Sequence, residues 1–362
     1  MSNKKEMSKA KYLTLWSLIF ALVLSAVGLA NYEALKWDSA LSLYFGEVGG
    51  QQTAEGQEGD SIYFPSDYKS AEERLAHSED IANRITGEGA VLLKNENSTL
   101  PMAAGKVSLF GIDNKTNGLK GVLEGKGFTV NPKLADFYAA SAHESGVRGL
   151  AAGNGSETGS WQIDEVPQSE YTDEVKASYK DYADAAIVVF TRTGAEGNDL
   201  PYDMSRYGGS AEEHYLELNQ NEKDLLTAVG AAFDKVIVLI SSANAMQLDF
   251  VEEAAYGIDG VLWFARCPYG PIADILLGAV NPSGRLPDTY VYDNLSSPAM
   301  QNFGDFRFVN ADGSLTGYSY VNYAEGVYVG YKYYETRYED KVIGQGNAGD
   351  YDYASTVLYP FG

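Results

Sequence analysis

The chain has 362 residues, enough for about two domains of ordinary size. Its 50 Asp and Glu against 27 Lys and Arg give a formal net charge of −23, which excludes DNA and RNA as expected partners because their phosphates would be repelled. The single cysteine, Cys267, excludes an internal disulfide and a multi-Cys metal site, and the three histidines disfavour a multi-His metal centre.

The N-terminus predicts a membrane-crossing segment. An uncharged run from Tyr12 to Ala30 follows a basic flank, and its roughly 19 residues exceed the usual core of a signal peptide. We therefore expect residues 1–11 to be a basic cytoplasmic tail and residues 12–34 a transmembrane anchor or uncleaved signal. Cleavage near Gly28 is the alternative. Both interpretations place the globular part outside the cell membrane, as in a single-pass extracellular protein.

The next residues change character twice. Residues 35–69 are rich in Gly, Gln, Glu and Ser without a helical or strand period, which is typical of a stalk or linker. From Ser70 to Ile85 the apolar residues are spaced along one face of a helix. Ser70 is the expected N-cap of this helix, and Glu73 would complete a capping box.

Over residues 70–295, nearly continuous apolar runs alternate with helical patterns. Such runs are typical of strands buried on both faces. The predicted strands are Ala90–Leu93, Val107–Phe110, Phe128–Val130, Ala186–Phe190, Val236–Ile240 and Gly260–Phe264, and the predicted helices include Asn219–Ala232 and Ile272–Leu277. Gly127 is expected to end a helix in the left-handed conformation. The alternation predicts an α/β fold: a mostly parallel sheet flanked by helices, an α/β sandwich, preceded by the N-terminal transmembrane helix.

Residues 296–362 form a Tyr-rich tail, with 11 of the 27 tyrosines between Tyr318 and Tyr359. We expect loops and short strands there rather than a long helix. The tail segment Gly344–Gly349 matches the GxGxxG pattern, but no buried strand precedes it and no helix follows, so it predicts a loop rather than a dinucleotide site. His214, outside the tail, is interpreted as a solvated helical residue.

The segment Thr191–Pro201 directly follows the predicted strand Ala186–Phe190. Sheets of this kind present groups to ligands at the carboxyl ends of their strands. Glu196 lies there between glycines, and a lone carboxyl whose pKa can be raised in a dry pocket is suited to general acid catalysis. The alternative, which position alone favours, is that Glu196 and Asp199 are solvated loop acids.

Six separated segments follow one another in an order and spacing that extend over roughly residues 68–362. They are Glu88–Pro101, Lys106–Gly111, Val188–Pro201, Leu218–Leu226, Asn281–Tyr290, and EGVYVGYKYYET with the closing YPFG. Together they resemble glycoside hydrolase family 3, the family of many β-glucosidases. The resemblance implies the family's α/β sandwich domain, in a branch where the domain order is reversed and a TIM barrel comes last.

The resemblance also implies roles for individual residues. Glu196 matches the acid/base position, and Arg192 and Asp199 match supporting positions, which implies that they bind substrate. The nucleophilic Asp would lie on the barrel, and neither a metal nor an organic cofactor is needed. The implied function is β-glucosidase- or β-xylosidase-like hydrolysis of a β-linked oligosaccharide or glucoside.

The chain also departs from the family pattern. IDNKTNGLKG follows KVSLFG where many members have a Gly/Ser-rich segment, Ala195 replaces a glycine, and Leu200 replaces an arginine. A barrel needs about 250 residues, so we expect a truncated chain whose tail leads to a missing fibronectin-like domain and barrel. Two hypotheses result: a glycosidase domain completed by a barrel that could be supplied in trans, or a membrane-tethered carbohydrate-binding or scaffold remnant without turnover.

Overall fold

The computed structural model describes residues 8–38, 67–144, 161–194, 200–265, 267–302, 306–323 and 325–362. The chain divides into two compact units, residues 1–67 with 152–154 and residues 68–151 with 155–362. In the first unit, helix α1 (Lys9–Lys36) begins at Ser8, whose hydroxyl accepts the N–H of Lys11. Its 28 residues reach about 42 Å, which exceeds the roughly 30 Å of a bilayer core. It is the one helix of the described residues long and apolar enough to cross a membrane, and a signal sequence has the same properties.

The second unit opens with helix α2 (Ala71–Gly89), four residues longer than predicted. The Ser70 hydroxyl accepts the N–H of Glu73 at 3.2 Å, as expected of an N-cap. The carboxylate of Glu73 instead accepts the N–H of Lys69 at 2.8 Å, so the return bond of the expected capping box lies one residue earlier.

A six-stranded sheet forms the centre of this unit. Its strands are β1 (Val91–Asn95), β2 (Lys106–Phe110), β3 (Thr129–Val130), β4 (Ala185–Arg192), β5 (Val236–Ser242) and β6 (Ile258–Phe264). The spatial order is β1-β6-β5-β4-β2-β3, and every pair is parallel except β1 with β6. The predicted mostly parallel α/β fold is therefore confirmed.

Strand β4 shows why its sequence is continuously apolar. Ala186, Val188 and Phe190 pack into a core on one face of the sheet. Ala185, Ile187 and Val189 pack into a second core on the other face. Because helices and loops cover both faces of the sheet, the side chains on either face of β4 are buried, which favours apolar residues throughout the strand.

The second unit has further helices, most of which connect strands of the sheet. They are α3 (Leu119–Gly125), α4 (Pro132–Ala140), α5 (Asp173–Ser178), α6 (Gln220–Ala232), α7 (Gly270–Leu276) and α8 (Pro298–Asn302). After α3, Gly127 has φ +93°, which confirms the predicted left-handed stop. A full capping box between Asn219 and Glu222 begins α6.

The Tyr-rich tail contains the helix that we did not expect. Helix α9 (Tyr331–Ile343) runs for 13 residues and ends at Gly344, which has φ +68°. The prediction of loops and short strands was wrong for this segment. The Lys, Glu and Arg residues between its tyrosines favour a helix, and Tyr334 is buried against neighbouring residues. Segment Gly344–Gly349 forms turns after this helix, with no strand before it, as the loop interpretation required.

The remaining helices and strands of the second unit are short. They are β7 (Tyr290–Val291), β8 (Phe306–Val309), β9 (Leu315–Tyr320), α10 (Tyr353–Thr356) and β10 (Val357–Tyr359). Strands β7 and β10 pair with each other, and β8 and β9 form an antiparallel hairpin. The pairing of β7 with β10 ties the end of the chain to the segment that follows the sheet.

Candidate functional site

The sheet has a topological switch point between β2 and β4. The chain leaves β2 toward β3 on one side and leaves β4 toward β5 on the other, so a crevice opens where the two connections diverge. A cavity of about 420 Å³, which we call the switch-point cavity, lies at these carboxyl ends. Residues at or just beyond the carboxyl ends of four strands line it, among them Asp113, Asn117, Thr191, Thr193, Ser241 and Tyr269.

A side-chain contact joins the two strands at the switch point. The hydroxyl of Thr191, near the end of β4, donates to the carboxylate of Asp113, just beyond β2. Between β2 and Asp113 the chain turns at Gly111, whose φ is +107°. A Cβ at Gly111 would lie 2.4 Å from the carbonyl oxygen of Val189, so only glycine fits where the two strands separate.

Arg192, the last residue of β4, is enclosed by protein, with 1% of its side chain exposed. Its guanidinium forms a bidentate pair with Glu222, at 2.9 and 2.7 Å. The other three N–H groups donate to the carbonyl oxygens of Tyr215, Thr191 and Glu217. All five donors of the guanidinium are therefore used.

This arrangement gives Arg192 a structural role, because it fixes the end of β4 to the start of α6. The contact of Arg192 with substrate that the resemblance implies stays a prediction. Glu222 serves both elements, since the same carboxylate accepts the N–H of Asn219 in the capping box. The result is a rigid base for the segment that follows β4.

Glu196 and Asp199 lie in residues 195–199, outside the described residues, so their expected roles stay predictions. The chain on either side is held by packing and hydrogen bonds. The N–H of Thr193 donates to the hydroxyl of Tyr215 at 3.1 Å. Leu200 packs against a small core that contains Trp161, Met204 and Tyr215.

Glu165 is a buried carboxyl on the cavity wall that no sequence motif marks. One oxygen accepts the N–H of Ile112 at 2.8 Å, and the other accepts the N–H of Val166 and the hydroxyl of Tyr138. Burial raises the pKa of Glu165 to about 8, so the carboxyl keeps its proton at neutral pH. The Tyr138 hydroxyl also accepts the N–H of Gly111, which fixes the turn after β2.

Two histidines near the site have structural partners. The ring of His143 lies between Asp164, at 2.8 Å, and Glu170, at 3.1 Å, and hydrogen bonding to Asp164 is the main cause of its raised pKa. His214 is buried in a turn, where its Nδ1 accepts the N–H of Leu216. The interpretation of His214 as a solvated helical residue was therefore wrong, because the segment before α6 folds into turns against Gln247. Across the described ranges, no group of three or more His, Cys, Asp or Glu is placed to hold a metal ion.

Comparison with known families gives one match that covers most of the second unit. The pattern described as "Glycosyl hydrolase family 3 C-terminal domain" matches residues 90–331. A curated β-glucosidase from Ruminococcus albus is 29% identical over 284 residues, which cover 72% of this chain and 27% of that enzyme.

Solved structures agree with this match. A β-glucosidase from Paenibacillus barengoltzii superposes with a TM-score of 0.58 at 28% identity, over 78% of this chain and 29% of that one. β-Glucosidase 3B from Thermotoga neapolitana, solved with α-D-glucose, superposes at 0.55 and 23% identity, over 73% and 37%, which supports the fold alone. The chain thus spans between 27% and 37% of the length of these three proteins.

Proposed function

This chain belongs to glycoside hydrolase family 3, and we propose that its α/β domain supplies Glu196 as the acid/base carboxyl for hydrolysis of β-linked glucosides. The observation that carries the proposal is the family match over residues 90–331, within which Glu196 comes four positions after Arg192, the last residue of β4. The buried Arg192–Glu222 pair supports it, because it gives the Glu196 segment a fixed starting point.

The chemistry needs two carboxyl groups. In a retaining glycosidase they stand about 5–5.5 Å apart, one attacking the anomeric carbon and the other protonating the departing oxygen. Glu196 protonates the leaving group in the first step and then removes a proton from the water that releases the sugar. The nucleophilic Asp comes from a barrel, on the same polypeptide or on another, and Asp199 contacts the substrate.

Helix α1 has a place in the same proposal. Its length and apolar composition suit a membrane anchor. An anchor would hold the α/β domain at the outer surface of the cell, where β-linked oligosaccharides are available. Protease protection of α1 in intact cells, compared with the N-terminus of the mature protein, separates a retained anchor from a cleaved signal.

The test measures turnover of aryl β-glucosides by the full chain in detergent, alone and mixed with a barrel domain of the family. We expect turnover on mixing only, and Glu196→Gln to lower kcat/KM by about 10²–10⁴-fold on substrates with poor leaving groups. The loss should shrink for dinitrophenyl glucosides, because a good leaving group needs no proton. Glu212→Gln, an exposed acid beyond the same segment, is the matched control.

Two results would overturn the proposal. Turnover that survives Glu196→Gln with an unchanged leaving-group dependence removes Glu196 from the chemistry. Sugar binding without turnover in any mixture supports the non-catalytic carbohydrate-binding function instead.

A further inference from the structure

We propose that the switch-point cavity is a binding site for an uncharged monosaccharide, with the carboxylate of Asp113 as its principal hydrogen-bond acceptor. The choice of a sugar as the ligand class rests on the proposed function. The site itself rests on the geometry of the described residues and does not require Glu196. Its volume of about 420 Å³ falls in the range of roughly 300–1,000 Å³ that is usual for small-molecule sites.

The carboxylate of Asp113 is held in place by one hydrogen bond and keeps the capacity to accept others. One of its oxygens accepts the hydroxyl proton of Thr191, which fixes the carboxylate at the mouth of the switch point. The second oxygen has no donor within the described part of the chain, and the residue is only half-buried. An oriented carboxylate with a vacant oxygen is a strong acceptor for a ligand hydroxyl, since hydrogen bonds to charged groups are about twice as strong as neutral ones.

The charges around the cavity select against anions. Among the described residues that line it, four carry a carboxyl group, namely Asp113, Asp164, Glu165 and Glu222, and none is Lys, Arg or His. Glu222 is neutralised by Arg192, Asp164 faces His143, and Glu165 holds a proton, so Asp113 dominates the field that a ligand meets. The carboxylate of Asp113 would repel a phosphate or a uronic acid, whereas the hydroxyls of a neutral sugar can donate hydrogen bonds to it.

A second observation at the cavity wall is independent of these charges. Ser241, at the end of β5, lines the cavity, and its buried hydroxyl has no partner among the described residues. Buried polar groups are nearly always paired, so an unpaired one beside a cavity indicates a bound molecule that completes it. Asp113 itself lies in the IDNKTNG segment, where the chain departs from the Gly/Ser-rich sequence that many members of the family have.

The test measures binding of glucose and of glucuronate to the full chain in detergent, by ligand-observed NMR and calorimetry. We expect glucose to bind at least tenfold more tightly than glucuronate. Asp113→Asn keeps an acceptor for Thr191 but removes the charge, so it should weaken glucose binding roughly fivefold to tenfold and narrow the gap to glucuronate. Asp234→Asn is the matched control, because Asp234 is exposed at the opposite, amino end of β5.

Ser241→Ala distinguishes a ligand contact from a structural role. Removal of an unpaired buried hydroxyl should leave the melting temperature unchanged or raise it, while glucose binding weakens severalfold. Equal binding of glucose and glucuronate, or equal effects of the Asp113 and Asp234 substitutions, would overturn the proposal, as would absence of glucose binding. Turnover on mixing tests the catalytic assignment, whereas glucose binding by the chain alone tests this site, so failure of the one and failure of the other give different results.

Discussion

The carboxyl edge of the sheet holds two charged residues in opposite situations. Arg192, at the end of β4, is enclosed and spends every donor on protein acceptors. Asp113, across the switch point, is half-exposed and keeps one oxygen free of the described residues. Both residues lie close to the cavity, so distance from a site does not show whether a residue supports the structure of the site or binds its ligand. The number of polar atoms that have no partner in the protein distinguishes these two roles.

The largest expected effect breaks the enclosed pair. Arg192→Leu leaves the carboxylate of Glu222 buried without its partner, which should cost about 3–5 kcal/mol in the free energy of unfolding. Urea denaturation followed by circular dichroism measures this. The double variant Arg192→Leu with Glu222→Leu should recover part of the loss, and a single substitution that costs less than about 1 kcal/mol would contradict a structural role for the pair.

The pH dependence of stability tests Glu165, a third ionisable residue of this region, whose carboxyl is kept neutral by burial. The unfolded chain releases this proton near pH 4.5 and the folded chain near pH 8, so the folded state binds more protons between those values. The contribution of Glu165 to stability is therefore fully present below about pH 4.5 and is lost as the pH rises toward 8. Glu165→Gln should remove this part of the pH dependence, as measured by the midpoint of urea unfolding at pH 5 and pH 8. If the stability of the wild type and of Glu165→Gln changed equally between pH 5 and pH 8, the raised pKa of Glu165 would be ruled out.

Loss of a helix cap should have a smaller effect. Ser70→Ala removes the acceptor for the N–H of Glu73 at the start of α2, and the expected cost is about 1 kcal/mol. Thermal unfolding of the full chain measures it. Ser70→Asp, which retains an acceptor, is the control and should unfold at the wild-type temperature.

The smallest effect concerns an exposed ion pair. Lys120 and Glu124 lie one helical turn apart on α3 at 2.8 Å, with their side chains about two-fifths exposed, 43% and 42%. Solvent screens such a pair, so Lys120→Met should change stability by no more than about 0.5 kcal/mol. A loss comparable to that of Arg192→Leu would show that burial is not what separates the two pairs.

Sequence patterns predicted the sheet because its strands are buried on both faces, and a short continuous apolar run such as Ala186–Phe190 is typical of that environment. They also located Gly127, since a backbone conformation that only glycine adopts readily leaves a mark in the sequence. Glu165 left no such mark. A sequence does not distinguish a buried glutamate from a solvated one. Glu165 is buried because Tyr138 and the turn at Gly111 pack around it.

The resemblance to a family singled out Arg192 but did not predict which protein groups its guanidinium contacts. Its guanidinium is occupied by carbonyl oxygens from a turn more than twenty residues further along the chain, and no local pattern predicts that contact. His214 was misjudged for the same reason, because the turns that bury it depend on Gln247 beyond β5. The sequence predicts structure well where residues close together in the chain determine it, and poorly where segments distant in the chain determine it.

The antiparallel edge strand has a consequence for how the protein is made. Strand β1 leaves the ribosome early, yet its partner in the sheet is β6, near the far end of the α/β domain. Until β6 has been synthesised, β1 waits without that partner, so the sheet closes late and over a large sequence separation. During that interval the early segments depend on their own solubility, and the excess of acidic over basic residues in α2 helps to keep them from associating.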